Sequence, residues 1–384
     1  MKKLVCFPSD PIDAYIKKGM TYEYLEEYFN PGGYFDEVYC LGPWKSSRKS
    51  FGSITCIQAR PLQYRKIIKK IAPVVVRGYG GYYAADWVAC SKVKGIPTLI
   101  SIHDTNTALL YDTVKYADSV ICMTESVRQV VLNNISFDQE KVWVMPNRVD
   151  TSLFKKICDE DKFLELNKQF GDCKHILHVG RKVKQKNLDS LIKAMKYLDD
   201  NHKCIFVGEG DVAYYEKMAE QEGVRDRCVF IKNVKHDELP LWYSWCDCMC
   251  TPSRWEGFGF VFIEAAACEA IIVTSNIGPM NEYLTNNENA YLVDDYENPK
   301  AIAEAIILAE NNSKANVIIK QNARKVALSF DKKKIDELEV ENYKKVISMD
   351  ANGRGVSPIY MEWKYRKKNN LFSKLSKWGG RPNS

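Results

Sequence analysis

The chain has 384 residues, 46% hydrophobic and 27% charged, with a formal net charge of +6. These fractions suit a globular protein of two ordinary-sized domains and exclude wholesale disorder and collagen-like repeats. Seven basic residues in 361–384, set against Glu362 alone, account for the whole charge excess, so the rest of the chain is balanced and unlike a general nucleic-acid binder.

In chain order, Met1 to Asp10 holds an apolar run too short for a signal peptide, and no stretch approaches the ~18–20 apolar residues that span a bilayer. Thirteen cysteines, an odd number without paired spacing, point to a reducing cytoplasm. Apolar runs at 4–7, 37–41, 74–78, 97–102, 119–123 and 141–146 predict a first series of strands, with helix-like segments such as 60–71 and 81–94 between them. A second series runs through 175–179, 203–208, 228–231, 248–252 and 270–275. In 188–198, Leu188, Leu191, Ile192, Met195 and Leu198 recur at helical spacing, with Asn187 in the capping position. From 300 the pattern is helical, including 332–347, and the turn-rich run after Met349 is expected to end the folded body. This alternation predicts an α/β chain of two doubly wound domains, 1–150 and 151–330, hinged near 146–154, followed by a tail at 349–384.

The simplest dinucleotide fingerprint is absent, because the first strand leads into PSDPIDAYIKKG and Gly208-Glu209-Gly210 lacks a third glycine. After the strand at 175–179 come Gly180, Arg181 and, before a helix, Lys186. Cations beside a helix start suit a diphosphate, although a lysine-rich loop also reads as a solvated surface. In 252–264, glycines flank Phe258, letting backbone N–H groups approach a ligand. Glu256 and Glu264 lie eight residues apart, roughly 12 Å if helical, which suits opposite ends of an extended ligand rather than one bond. Glu264 in an apolar segment requires a partner, either a ligand or an internal ion pair. Cys246, Cys248 and Cys250 could line one strand face. Without zinc-ligand spacing nearby, they read as core fillers, and no metal site is assigned.

GR-x4-K (Gly180, Arg181, Lys186) followed by PS-x2-EGFG-x4-E-A (Pro252 to Ala265) resembles the signature of glycosyltransferase family 4. SIHD (101–104), MPNRVDTSLF (145–154), FVGEGD (206–211) and the turn before Glu282 extend the likeness over most of 75–345. The resemblance implies the GT-B fold, two Rossmann-like domains facing across a cleft, with the C-terminal helix at about 331–348 back on the first domain. It implies a retaining, metal-independent hexosyltransferase that needs no cofactor beyond a UDP- or GDP-linked sugar as donor. Carried over by residue, Arg181 and Lys186 take the diphosphate, Glu256 orients the sugar and Glu264 binds the ribose. Gly257, Phe258, Gly259 and Phe260 present N–H groups to the sugar and phosphate, with Gly180 and Gly208 nearby. His103 faces the transferred sugar, whereas Asp104 also reads as a turn cap. The chain departs from the pattern at Arg148, at Cys268-Glu269-Ala270-Ile271, at Gly278-Pro279 and in the loop after its first strand. These departures bear on the acceptor and the hexose.

The segment 60–71 is basic and amphipathic, a pattern shared by membrane-surface helices and by solvated helices over a core. The tail interleaves Trp363, Tyr365, Leu371, Phe372, Leu375 and Trp378 with cations, fitting an anionic lipid surface, with a solubilising tail or RNA contact as the other readings. The expected partners are thus a nucleotide sugar, a glycan or lipid-linked acceptor and an anionic membrane surface, but no nucleic acid; the place is the cytoplasm and the inner face of the cell membrane. A silent sugar-nucleotide sensor or scaffold and a sugar-nucleotide epimerase on the same fold are the competing functions.

Overall fold

The computed structural model describes residues 1–365 and divides into two units. One comprises Met1–Pro146 with the described residues from Ile335 onward; the other is Asn147–Lys334. In the first unit the chain runs β1 (Lys3–Phe7), α1 (Ile12–Lys17), α2 (Tyr22–Phe29), β2 (Glu37–Gly42), β3 (Ser50–Phe51), β4 (Ile54–Gln58), α3 (Pro61–Ile71) and β5 (Val75–Tyr79). It continues through α4 (Tyr83–Ser91), β6 (Thr98–Ile102), β7 (Ser119–Cys122), α5 (Glu125–Asn134) and β8 (Val142–Val144). The sheet order is β3-β4-β2-β1-β5-β6-β7-β8, parallel except for β3 against β4. Strands β5, β6 and β7 are buried along their whole length, as helices on both sheet faces require, and this made them readable as continuous apolar runs. The strands β3 and β4, with polar residues interleaved, were not anticipated.

Helix α4 is buried from Ala84 to Ser91, including Asp86. The chain that covers it comes from the C-terminus: Val356 N–H donates to the Ala89 carbonyl at 3.0 Å, and a helical segment over 358–365 follows. Met361 and Tyr365 join the core cluster of Tyr64, Ile68 and Trp87. The folded body therefore does not end at Met349, and a tail beginning there is corrected: 351–365 docks because α4 offers an apolar surface and a buried carboxylate. The remaining tail residues named above, Leu371, Phe372, Leu375, Trp378 and the cations from Arg366 on, lie outside the described residues. On the way back the chain forms a helix over Lys332–Ile347, whose Glu339 pairs with Arg77 of β5, and Arg77 Nη1 also donates to Tyr343 Oη at 2.7 Å.

The second unit contains α6 (Glu160–Phe170), β9 (Lys174–Val179), α7 (Leu188–Ala194), β10 (His202–Val207), α8 (Val212–Gln221), β11 (Cys228–Ile231), α9 (Leu239–Trp245) and β12 (Cys248–Thr251). It closes with α10 (Phe260–Ala267), β13 (Ile272–Ser275), β14 (Tyr291–Val293), α11 (Pro299–Asn311) and α12 (Ser313–Ser329). Its sheet, in order β11-β10-β9-β12-β13-β14, is wholly parallel. Side-chain caps fix several starts; Asp159 accepts from Lys162 N–H, and Asp211 from Tyr214 N–H, each at 3.1 Å. Cys248 and Cys250 sit on the core side of β12 with Ile176 and Phe206, as apolar fillers do. Strand order reverses between β9 and β12. A crevice forms outside the carboxyl ends of strands at such a point.

Candidate active site

The two loops leaving that reversal carry the sequence-predicted residues. Beyond β9, Gly180 has φ +155°, and a Cβ there would lie 3.3 Å from the Lys186 stem. Gly208, after β10, has φ +137°, and a Cβ on it would stand 2.1 Å from the Gly180 carbonyl oxygen. Glycine at both positions lets the ends of β9 and β10 touch backbone to backbone. Gly208 is thus placed to shape the loop.

Lys182, unremarked in the sequence, is buried and donates to the Gly208 carbonyl and, at 2.9 Å, to that of Ile231. Its ammonium ties together the chain after β9, β10 and β11, and burial alone pulls its pKa down to about 8. His178, under the same loop, is held neutral, its pKa lowered to about 3 by burial and then by the charge of Lys186.

Lys186 occupies a single turn of tighter helix and is buried; its Nζ pairs with the Glu256 carboxylate, which also accepts from Ser253 Oγ at 2.8 Å. Arg181 is exposed, with Nη2 3.4 Å from Gln185 Oε1. Gln185 donates in turn to the Trp255 carbonyl at 2.9 Å, and Arg254 N–H to the Gln185 carbonyl at 2.8 Å, so the loop after β9 is stapled to the loop after β12. Arg254 further binds Asp189 with both Nη atoms, at 2.9 and 2.8 Å, and Glu297 at 2.7 Å. Asn187 does not cap α7: it takes a left-handed φ of 56°, and its Nδ2 donates to the Tyr296 carbonyl at 2.7 Å. The helix beyond it has seven residues, so the cations here act through fixed charge, without a long helix behind them.

The helix that opens on the site is α10. Gly259 precedes it with φ +84°, where a Cβ would strike the Phe262 ring at 2.5 Å, and no side chain caps its start. Phe262 N–H already donates to the Gly259 carbonyl at 3.1 Å, and no side chain supplies an acceptor to the N–H groups before it. Phe258 is buried, stacked on Tyr283 with ring centroids 5.2 Å apart, and Tyr283 Oη donates to its carbonyl, so Gly257 to Gly259 follow one fixed path. Phe260 is exposed at the helix start.

Only from Phe260 onward is the interval between the two acids helical, so a helical rise cannot be carried back to Glu256. Glu264 accepts from His236 Nε2 at 2.9 Å and from Tyr243 Oη of α9 at 3.2 Å. Burial is the largest single influence on the His236 pKa and lowers it, but the bond to Glu264 together with the charges of Glu264 and Asp237 outweighs it, and the value is raised. Neither partner was identifiable from local spacing, because each lies more than twenty residues from Glu264 in sequence. Loops and α10 thus bring Gly180, Arg181, Lys186, Glu256, Gly257, Phe258 and Gly259 to one end of the second unit, with Glu264 a turn into the helix. His103 belongs to the first unit, directly after β6, with Nε2 2.9 Å from Ser101 Oγ. Beside it Asp104 caps a turn, accepting from Asn106 N–H at 3.0 Å.

The family described as "Glycosyl transferases group 1" matches residues 159–326, and "Glycosyltransferase Family 4" matches 30–153. An uncharacterized glycosyltransferase of Methanocaldococcus jannaschii is 27% identical over 74% of this chain and 80% of its own length. The O-antigen chain mannosyltransferase RfbU of Salmonella typhimurium is 29% identical over 46% of this chain, a match spanning about half of that relative, 48%. Among solved structures, Anabaena HepE in complex with UDP-glucose superposes with a TM-score of 0.74 at 18% identity, covering 90% of this chain and all of that one. Two family matches on consecutive stretches, over two doubly wound and largely parallel sheets, leave one conclusion: the chain is a glycosyltransferase of family 4 with the GT-B fold.

Proposed function

We propose that this glycosyltransferase moves a hexose, with retention and without a metal ion, from a UDP- or GDP-linked sugar to a glycan or lipid-linked acceptor at the inner face of the cell membrane, in synthesis of a cell-surface glycan. The observation that carries the donor reading is the buried Lys186–Glu256 pair, set beside exposed Arg181 and the uncapped start of α10. A diphosphate placed there meets the exposed Arg181 guanidinium, Lys186 beside its carboxylate partner and the positive end of α10, the electrostatics that stabilise a departing phosphate. In the transfer, the bond between the anomeric carbon and the β-phosphate oxygen breaks, and the nucleoside diphosphate leaves with the electron pair. The acceptor hydroxyl bonds to the same face of that carbon and yields its proton to the departing phosphate. Glu264, already carrying His236 and Tyr243, would receive the ribose hydroxyls, with His103 toward the transferred sugar. Support for the donor class comes from the similar fold solved with UDP-glucose, and for the glycan class from the mannosyltransferase relative.

The test is a thermal-shift screen against UDP-glucose, GDP-mannose and ADP-glucose, followed by donor consumption with and without acceptors. One nucleotide class should stabilise the protein, by about 2.7 kcal/mol at a hundredfold excess over Kd. Arg181→Ala and Glu264→Ala should abolish most of that stabilisation. Binding and turnover unchanged in both variants would overturn the proposal. Binding without turnover would select a sensor, and donor conversion to an epimer without any acceptor would select an epimerase.

A further inference from the structure

The C-terminal chain crosses the first unit as a strap with two unlike faces. Gly95 N–H donates to the Ala351 carbonyl at 3.0 Å, and Arg65 Nη2 of α3 to the Val356 carbonyl at 3.1 Å. In the helical segment 358–365 the inward face supplies Met361 and Tyr365 to the core, and Tyr365 Oη and Lys364 Nζ close on the buried Asp86 carboxylate at 2.6 and 2.5 Å. That latch fixes the helix about its own axis, so its other face cannot turn inward. The outward face carries Ile359 at 72% exposure, Tyr360 at 51% and Trp363 at 55%, with the two rings 6.3 Å apart. Three large apolar side chains held in water on two turns of helix are unfavourable unless something covers them.

The neighbouring α3 shares the same core cluster through Tyr64 and Ile68 and is tied to the strap through Arg65, and it too exposes apolar and basic side chains. Leu62 is 50% exposed, and Arg60, Lys66, Lys69 and Lys70 are exposed too. Among the described residues none of these four cations has a carboxylate partner, although surface ion pairs are common elsewhere in the chain. In sequence, Arg366, Lys367 and Lys368 follow the strap directly. The two helices thus expose aliphatic and aromatic side chains together with α3 cations that no described carboxylate offsets.

We propose that α3 and the 358–365 helix together form a docking face for an anionic lipid bilayer. Indole and phenol rings favour the headgroup level, aliphatic side chains gain from the acyl boundary, and each lysine or arginine near such a surface adds attraction. Ile359 and Leu62 favour a bilayer over single-stranded RNA, which rewards stacking rings but not aliphatic side chains. The inference deepens the function proposed above and rests on it for the acceptor, since a lipid-linked acceptor would be met at this face.

Co-sedimentation of the full chain with vesicles tests it, using phosphatidylcholine alone and phosphatidylcholine with phosphatidylglycerol in equal parts. The protein should partition to the anionic vesicles only, less so as salt rises. I359S/Y360S/W363S and K66Q/K69Q/K70Q should each lower partition about tenfold or more, with unfolding temperature and turnover of a soluble acceptor unchanged. Three results would overturn the docking face: no partition of the wild type, equal binding to both vesicles, or loss of binding only on deleting 366–384. Retention on immobilised RNA without vesicle binding would overturn it in favour of nucleic acid. Vesicle binding in a protein that turns over no donor would defeat the transferase reading and leave the docking face standing.

Discussion

Arg181 and Lys186 share a loop and a sign of charge, but the fold spends them differently. Lys186 is buried against Glu256, whereas Arg181 is exposed beside Gln185. Removing Arg181 subtracts charge from the proposed diphosphate site without opening a core. Removing Lys186 strips Glu256 of its cation, and breaking a buried pair from one side costs about 3–5 kcal/mol. Arg181→Ala should therefore keep its unfolding free energy within about 0.5 kcal/mol while kcat/KM falls about a hundredfold or more. Lys186→Ala should lose both, with several kcal/mol missing in urea titration. Equal destabilisation by the two substitutions would contradict this division. Lys186 and Glu256 are legible as members of one signature, from two separate motifs, only through the family resemblance; that they touch is a tertiary fact. Lys182 is illegible for the opposite reason. In a run of lysines it looks like surface, and only the glycine contact between β9 and β10 buries it under two carbonyls.

Elements are held in register by charges as well as by apolar faces. His202 opens β10 with Nδ1 2.6 Å from Asp199 Oδ1 in the preceding turn and Nε2 2.9 Å from Glu310 Oε2 of α11. Its pKa is raised, first by the bond to Glu310, against the opposing pull of burial. A histidine whose folded pKa exceeds its unfolded value stabilises the fold fully below the unfolded value, about 6.5, and ceases to as pH climbs through the folded one. The carboxyl of Asp199 is held low by the same contact, so the bridge also weakens in acid, below about pH 4. Wild type should thus exceed His202→Gln by about 1–2 kcal/mol near pH 5.5 and converge toward it as pH rises through the raised folded pKa in denaturant titrations. A difference independent of pH would refute an ionic bridge. Such links leave no trace in periodicity, but the elements they join were largely readable. Fully buried parallel strands announce themselves as apolar runs; β3 and β4 at the sheet edge do not, because half-exposed and polar positions dilute the pattern, and β14 does not, because three residues are too few to make a run. Asn187 shows the limit at a helix start, where the right residue type serves Tyr296 instead of the cap position.

At the scale of the molecule, the chain leaves the first unit at Pro146 and re-enters it at Ile335. Alternating strand and helix signals made two doubly wound domains legible, but the second crossing was not fully so. DANGRGVSP reads as a terminus because its glycines and proline deny it periodicity, whereas its docking depends on Asp86, 279 residues before Tyr365. The consequence is an asymmetry between the units. A fragment of residues 1–146 would keep its eight-stranded sheet order but lose Tyr343, Val346, Met361 and Tyr365 from its buried set. It would also hold Arg77 without Glu339 and Asp86 without Lys364. Losing the cation of Asp86 (which keeps Thr113), the carboxylate of Arg77 and the four buried side chains together removes several kcal/mol of the roughly 5–15 kcal/mol that keeps a domain folded. The second unit, Asn147–Lys334, is one unbroken stretch that pairs buried charges within itself, Lys186 with Glu256 and Glu264 with His236. Expressed alone, 147–334 should unfold cooperatively in urea and give dispersed amide resonances. Fragment 1–146 should show helical circular dichroism without a cooperative transition, and gain one when residues 335–365 are co-expressed with it. A cooperative, well-dispersed 1–146 would show that the returning chain decorates the first unit instead of completing it.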